Sequence, residues 1–490
     1  MAKPAICREK TMRNVLLSGA ALLLLSACAV GPDYQAPDPQ APARFEEARD
    51  SGAFDGEQRR FWQGFQDPLL AQLIEQALDA NQDLRAALAR LDQAGALLRG
   101  ARADQYPTLS ANGSAGEQYL AEVERMDPNQ ERVTRYQVNA AARWELDLFG
   151  RLRRGREARQ ADLDAAGADL ATLQVALVGR LASDYFELRG LQQQLAVAQR
   201  NVRNQRESLD IVAARLDAGR GTEFDRVRAR ARLDAIRATL PDLEAGIRER
   251  MYRIAVLTGQ TPGALVGQLT LPGPLPESLP AIPVGSPGDA LRRRPDIRAA
   301  ERRLAAATAR IGVATADLFP SFSLDALIGS VAADSSDLFS GPAESRAVAL
   351  GVDWTFLDFG GVRSRIDAAD AASRAALADY RQTVLEALAE TETQLVRYQR
   401  AQVRSARLED ATEAAGRAAE LARTRYEQGY IGYFEVLAAE QELIDTRDNL
   451  IESRTAETLA MVGIYRTLAG APLPADDNET QAVEAVPAGG

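Results

Sequence analysis

The chain has no histidine, only two cysteines among its 490 residues, and two lysines, Lys3 and Lys10, against an abundance of arginine. Without imidazole there is no histidine general base and no histidine-ligated metal. Cys7 falls within an N-terminal targeting segment, which leaves Cys28 alone, so neither an internal disulfide nor a thiolate cluster can form. No phosphate loop and no serine elbow is present. A net charge of -11 argues against nucleic acid as a partner. Beyond residue 28, no stretch reaches the roughly 18 apolar residues of a membrane helix. These absences exclude the common catalytic and metal chemistries: no catalytic residue, no metal ligand and no dissociable cofactor is expected, and the chain does not read as an enzyme.

What is present begins at the N-terminus. Val15–Leu25 is an unbroken run of small and apolar residues, preceded by Arg13 and followed by Ser26-Ala27-Cys28. The run is too short to span a bilayer and reads as a signal peptide over residues 1–27. A small-residue cleavage site ending on cysteine is a lipoprotein box, which makes Cys28 the expected attachment point for diacylglycerol and acyl chains. Each buried methylene contributes about 0.8 kcal/mol, and two or three chains anchor stably. Ala29 follows where an inner-membrane retention signal would place Asp, so the outer membrane is the expected destination. Glu9 interrupts the basic region, which makes Met12 a candidate initiator.

The second half of the chain repeats the first. Trp144, Phe149 and Gly150 recur 210 positions on as Trp354, Phe359 and Gly360; Arg215, Gly219, Phe224 and Asp225 recur as Arg425, Gly429, Phe434 and Glu435. Upstream the offset is 213: Asp83-Leu84-Arg85 becomes Asp296-Ile297-Arg298, and Pro107 becomes Pro320. Two copies are too few for a solenoid and imply a pseudo-twofold protomer.

Each copy contains segments of period two. Tyr136, Val138, Ala140, Ala142, Trp144, Leu146 and Leu148 alternate with Gln137, Asn139, Ala141, Arg143, Glu145 and Asp147; Val348, Leu350, Val352, Trp354 and Phe356 follow the same pattern. Such strands have one greasy and one polar face, about ten residues long, as in outer-membrane barrels. Four strands cannot close a barrel, and an open edge in lipid leaves backbone groups unpaired at several kcal/mol each. The barrel must therefore be shared between chains. After the strands come proline-free runs of helical periodicity, on the order of 100 Å long at about 1.5 Å per residue. Each is broken by a glycine turn at Gly219-Arg220-Gly221 or Gly429-Tyr430-Ile431-Gly432.

The expected organisation is a tether over 28–60, then a first repeat over 61–258, with strands at about 106–116 and 135–148 and helices at about 150–217 and 223–258. A proline-rich extended linker covers 259–288. The second repeat covers 289–470, with strands at about 320–329 and 346–357 and helices at about 360–427 and 433–469. Residues 471–490 form an acidic tail predicted to be disordered.

The start Cys28-Ala29-Val30-Gly31-Pro32-Asp33-Tyr34, the Phe61-Trp62 and Asp67-Pro68-Leu69 segments, and the duplicated Trp144…Phe149-Gly150 and Arg425-Tyr426…Gly429 motifs resemble the NodT/OprM branch of the TolC-like outer-membrane factors. The resemblance covers essentially the whole mature chain. It implies a mainly α fold with a small membrane β part: a homotrimer whose twelve-stranded barrel continues into a long α-helical barrel. It also implies the function, an exit duct of a tripartite efflux pump. The partners would be a periplasmic adaptor (membrane fusion protein), an inner-membrane transporter of the RND type, and outer-membrane lipid. The outlet of a type I protein secretion system and a non-conducting coiled-coil scaffold are the alternatives. By the same resemblance, Phe224, Asp225, Phe434 and Glu435 fall at the periplasmic constriction, where apolar rings block by dewetting and acidic rings select cations. Ala438 stands where relatives often carry Asp. Trp144 and Trp354 fit an interfacial aromatic belt.

Overall fold

The computed structural model describes residues 29–47, 56–125, 127, 131–276, 279–280 and 285–468. The signal peptide with Cys28, and the acidic tail, lie outside the described residues. Two compact units divide the chain. One holds the segment ending at Asp38 with Arg90–Gly167 and Ala299–Tyr380; the other holds Pro39–Ala89, Ala168–Arg298 and the chain from Arg381.

The first unit contains a four-stranded antiparallel sheet, β1 (Thr108–Tyr119), β2 (Arg132–Leu146), β3 (Ser321–Ala332) and β4 (Glu344–Asp353), in sequential order. Alternation holds for most of the register, with Val133, Leu327 and Val331 as large apolar residues on the polar face. Leu109, Ala142, Ala326 and Val348 form one row, and Thr108, Arg143, Asp325 and Ala349 form the adjacent row on the other face. The polar face carries Asn112 against Asn139 at 3.5 Å and Arg143 against Asp325 at 3.6 Å. The apolar face is uncovered: Val348 is 78% and Leu350 64% exposed.

The duplication holds in three dimensions. β1 and β3 both begin one residue after a proline, whose missing N–H cannot join a ladder. Thr108↔Arg143 in the first hairpin maps onto Ser321↔Asp353 in the second, and Gly116↔Arg135 maps onto Gly329↔Ser345. β1 and β3 run three residues further than expected from the pattern, which shortens both loops. β2 stops at Leu146, two residues before Leu148, and β4 stops at Asp353, leaving Trp354 and Phe356 beyond it. Trp144–Leu146 are held by β3 alone, since β1 reaches only Arg143. The matching residues Trp354–Phe356, beyond the end of β4, have no described strand on that side.

The helices, in chain order, are α1 (Pro68–Ala80), α2 (Gln82–Ala103), α3 (Arg151–Asp217), α4 (Glu223–Leu257), α5 (Val266–Leu269), α6 (Pro287–Arg293), α7 (Pro295–Ala316), α8 (Gly361–Glu427) and α9 (Tyr433–Leu468). α3 and α8 have 67 residues each. The α1–α2 and α6–α7 pairs were not among the expected elements, although their caps are plain in the sequence. Asp67 accepts from the Leu69 and Leu70 amides ahead of Pro68, and Ser286 accepts from Asp289 ahead of Pro287.

The main core lies in the second unit. Phe61 stacks on Tyr465 with centroids 4.8 Å apart, and Phe65 meets Phe186 at 4.8 Å. Asp67 has a second task there, accepting the Tyr185 hydroxyl at 2.5 Å. The expected extended linker is docked instead of free. Leu265, Leu269 and Leu275 join this core, since the leucines spaced among the prolines give the segment an apolar face to bury. The expected tether is docked too: Phe45 is buried with Ala290, Leu395, Ile464 and Leu468, and the Glu46 and Glu47 amides donate to Glu392 at 2.8 and 3.2 Å.

Candidate functional site

The features duplicated between the repeats gather at two places, the helix turns and the junction of sheet and helices. The first is the pair of helix turns in the second unit. Gly219 and Gly429 adopt φ of +72° and +83°, which a side chain would strain. Arg220 donates its amide to the Arg215 carbonyl at 2.8 Å, and Tyr430 to that of Arg425 at 2.9 Å, the same helix-terminating pattern in both repeats.

Beneath the turns, Val212 and Ala229 of the first repeat are buried with Tyr426, Tyr433, Val436 and Leu437 of the second. The Arg215 guanidinium lies 3.8 Å from the Tyr426 ring centroid and donates to the Tyr426 carbonyl at 2.5 Å. Gln205 donates to the Tyr433 hydroxyl at 2.8 Å, and Arg423 pairs with the buried Glu440 at 2.7 Å. Burial pushes the Tyr433 hydroxyl up to about 12, so it stays protonated.

Phe224 and Phe434 are both exposed, and both are met by one cation: Arg228 stands 5.9 Å from the first ring and 4.5 Å from the second. Asp225 has a local partner. Its carboxylate accepts the Thr222 hydroxyl at 2.6 Å while Thr222 caps its amide, so it closes the first turn of α4. Glu435 occupies the corresponding first turn of α9, where the helix dipole favours a carboxylate. The two aromatics are thus brought together around Arg228, while Asp225 is committed to its own helix.

The second is the sheet–helix junction of the first unit. Trp144 donates its indole N–H to the Gln105 carbonyl at 3.0 Å, and Trp354 donates to that of Leu318 at 3.2 Å. These are equivalent bonds, since Gln105 and Leu318 are themselves 213 positions apart. Each tryptophan clips the turn between a helix and the following strand while its ring stays partly exposed, an arrangement suited to an interfacial aromatic.

The residues immediately after Cys28 reach the same level. Val30 donates to the Phe149 carbonyl at 3.1 Å, and Ala29 lies so close to Gly150 that a Cβ there would come within 2.7 Å of the Ala29 Cβ. The Arg154 guanidinium, buried and charged, donates to the Val30 carbonyl at 3.2 Å and pairs with Asp33 at 2.6 Å. Tyr34 donates to Glu301 at 2.8 Å. Cys28 itself lies outside the described residues, but its neighbour is pinned beside the junction of β2 and α3.

Two features escaped the sequence reading. Arg189 is buried and spreads its donors over the Leu271 carbonyl (2.6 Å), Gln192 (2.8 Å) and the Tyr185 hydroxyl (3.0 Å), which fastens the proline-rich segment to α3. Nothing local marks it among so many arginines. Asp448 on α9 has its carboxyl pushed up to about 6, first by burial and then by the charges of Asp445 and Glu452. The spacing of these three acids along one helical face was the available signal.

Comparison with known proteins agrees with this geometry. The family model described as outer membrane efflux protein matches residues 73–260 and 286–470. "Nodulation protein T" of Rhizobium leguminosarum bv. trifolii is 32% identical, over 87% of this chain and 91% of its own length. The "Solvent efflux pump outer membrane protein SrpC" of Pseudomonas putida is 30% identical, over 92% and 97%. The solved structure of the outer-membrane channel OprN superposes with a TM-score of 0.85 at 40% identity, covering 91% of this chain and all of that one. With a duplicated strand-and-helix hairpin architecture, a four-stranded sheet greasy on one face, and matches of this extent, the chain belongs to the outer membrane efflux protein family.

Proposed function

We propose that this chain is the outer-membrane exit duct of a tripartite efflux pump in a Gram-negative bacterium. Three copies close a barrel of twelve strands, and their long helices continue it as a periplasmic tunnel. A periplasmic adaptor docks on that tunnel, and an inner-membrane transporter of the RND type supplies the energy. Small molecules pass through without being chemically changed.

The observation that carries this reading is the sheet. Most of its large apolar residues share one face in unbroken register, and its two outer strands have free edges. An isolated sheet of this kind in lipid would leave a row of backbone groups unpaired, at several kcal/mol each. Closure with further copies removes both edges at once, and the smallest outer-membrane barrels have about eight strands. Acyl chains on Cys28 would enter the bilayer beside the β2–α3 junction, at the level of Trp144 and Trp354. At the helix turns, the aromatic pair Phe224 and Phe434 around Arg228, with Asp225 and Glu435 beside it, forms the constriction when three copies meet around an axis.

Two measurements on the full mature chain in detergent test the reading. The detergent-corrected mass is expected to be that of three chains, and the purified protein is expected to conduct ions across a planar bilayer. A stable monomer, or a trimer that does not conduct, overturns it.

A further inference from the structure

The two repeats diverge in charge at one place along their paired helices. In the first repeat, Arg250 of α4 pairs with Asp184 and Glu187 of α3 at 2.9 Å each, and Arg253 stands 3.9 Å from Asp184. At the offset of 210, these four residues become Ala460 and Gly463 on α9, and Gln394 and Arg397 on α8. The register is secure there, because buried Met251 and Ile254 fall on buried Met461 and Ile464. Two cations have been exchanged for small residues, and the acids they held for an amide and a cation.

At this place the second repeat has a cavity of about 620 Å³ between α3, α8 and α9, all within the second unit. Small residues make the room. A Cβ on Gly463 would come within 2.4 Å of Gln394 Oε1, and one on Gly179 within 3.1 Å of Arg466 Cδ. Leu459, Val462 and Ala460 add an apolar wall.

Four arginines line the same cavity: Arg397, Arg400 and Arg404 of α8, and Arg466 of α9. Arg466 is committed, donating to Glu390 at 2.5 Å, and Glu390 also receives Arg294 at 2.9 Å. The other three are exposed and have no hydrogen-bond or ion-pair partner among the described residues. They sit at positions i, i+3 and i+7, on one face of α8, where unshielded like charges repel. No aspartate or glutamate lines the cavity, in a chain whose net charge is -11.

We infer that this cavity is a binding site for an aromatic organic anion, a sulfonate or carboxylate on a flat apolar body. Guanidinium forks donate pairwise to such oxyanions, and their planar faces stack on aromatic rings. The anionic group meets Arg397, Arg400 and Arg404 and relieves their repulsion. The ring lies along Leu459, Val462 and the small residues, a wall that a bare hydrated ion cannot use. The first repeat has no such site, since Arg250 and Arg253 answer the charges of Asp184 and Glu187 within the chain.

The cavity also has a definite side. With about 3.6 residues per turn, Ala456, Ala460 and Gly463 lie across α9 from the core residues Met461 and Tyr465. Arg397 and Arg404 lie across α8 from Leu395, and Gly179 and Ser183 lie across α3 from Leu181 and Tyr185. The core side carries the docked segments of Phe45, Phe61 and Leu275. In a duct those segments mark the outer side, because an open lumen leaves no room for them, and the cavity faces the lumen. This placement rests on the duct reading above; the binding itself does not.

Calorimetry on the full mature chain in neutral detergent, with naphthalene-1,5-disulfonate as the probe, tests the site. The wild type is expected to bind one probe per chain. Arg397→Gln with Arg400→Gln and Arg404→Gln is expected to weaken binding about tenfold or more. These side chains are exposed, so the unfolding temperature should stay at the wild-type value. A second variant, Ala460→Met, fills part of the cavity without changing its charge and should also weaken the probe. Arg200→Gln with Arg203→Gln removes two exposed charges elsewhere on α3 and should leave the affinity unchanged.

Wild-type affinity in the triple variant or in Ala460→Met overturns the site, and so does an equal loss in the Arg200 and Arg203 control. Inorganic sulfate binding as tightly as the probe overturns the aromatic class. In planar bilayers the probe is expected to lower the single-channel current of the wild type and to spare that of the triple variant. An equal reduction in both overturns the placement in the lumen. A chain that binds the probe and conducts nothing removes the duct reading and leaves the site standing.

Discussion

The aromatic core around Phe186 and the apolar face around Val348 are built from the same kinds of residue and have opposite fates. Phe186, Tyr185 and Trp62 are almost entirely enclosed by side chains of their own chain, whereas Val348, Leu350 and Val352 are mostly exposed. Burial against neighbouring helices stabilises the first group by about 25 cal/mol per Å² of apolar area removed from water. The second group receives nothing comparable within its own chain. The helical region therefore contains its own reason to fold, while the sheet, on the function proposed above, is half of a surface whose other half is the bilayer and further chains.

The sharpest way to break this contrast is in the core. Phe186→Ala removes a ring 1% exposed that touches Phe65 at 4.8 Å and Tyr185 at 5.5 Å. A loss of about 3–5 kcal/mol is expected, read as a large drop in the unfolding temperature of the helical signal. An unfolding temperature unchanged from wild type would mean that this core does not support the body.

On the sheet, Val348→Arg places a charge in the apolar band. The expected cost is about 2–4 kcal/mol near the bilayer midplane and less towards its edges. Membrane insertion should fall while helical content in detergent stays at the wild-type level. Equal insertion of the variant and wild type would show that this face does not meet lipid.

A smaller effect is expected at the helix turns. Phe434→Ala and Glu435→Gln together remove an exposed ring beside Arg228 and one carboxylate per copy. Single-channel conductance should rise and cation preference weaken, because crowded carboxylates gather cations in a narrow pore. Conductance and selectivity equal to wild type would leave these residues as packing and capping groups.

The smallest effect concerns Asp448. Its carboxyl is raised from 3.8 to about 6 by burial and by Asp445 and Glu452, so the folded state holds the proton more tightly than the unfolded chain. The destabilisation is therefore present in full above about pH 6 and is relieved as pH falls through 6 towards 4. Asp448→Asn should raise the unfolding temperature at pH 7 and make no difference near pH 4. A shift of equal size at both pH values would refute the assignment.

The two scales of the fold were unequally legible. Strand alternation, the proline before each hairpin, the glycine turns and the two 67-residue helices are local patterns, so they stand in the sequence nearly as they stand in space. The ends of the strands were less so: β1 and β3 outrun their alternation because Gln118 and Val331 still have ladder partners, and β4 stops short where it has none. Among the gate candidates, the sequence placed Phe224 and Phe434 at matching turns but held no sign of Arg228 between them. The capping of Asp225 by Thr222 was readable, since a threonine three residues ahead of an acid at a helix start is a local signal.

By itself the sequence determined the duplication, the element types, the alternating faces and the absence of histidine and thiolate chemistry, because each depends on neighbours within a few residues. Only the tertiary structure decided what depends on partners hundreds of positions away. Phe45 is locked among Ala290, Leu395 and Ile464; Asp67 receives Tyr185 as well as capping α1; Val30 is held at Phe149 and Arg154; and the two tryptophans clip Gln105 and Leu318. A hydrogen bond forms where donor and acceptor come within about 3 Å, and no pattern in a single chain of letters records that distance until the backbone has brought the two together.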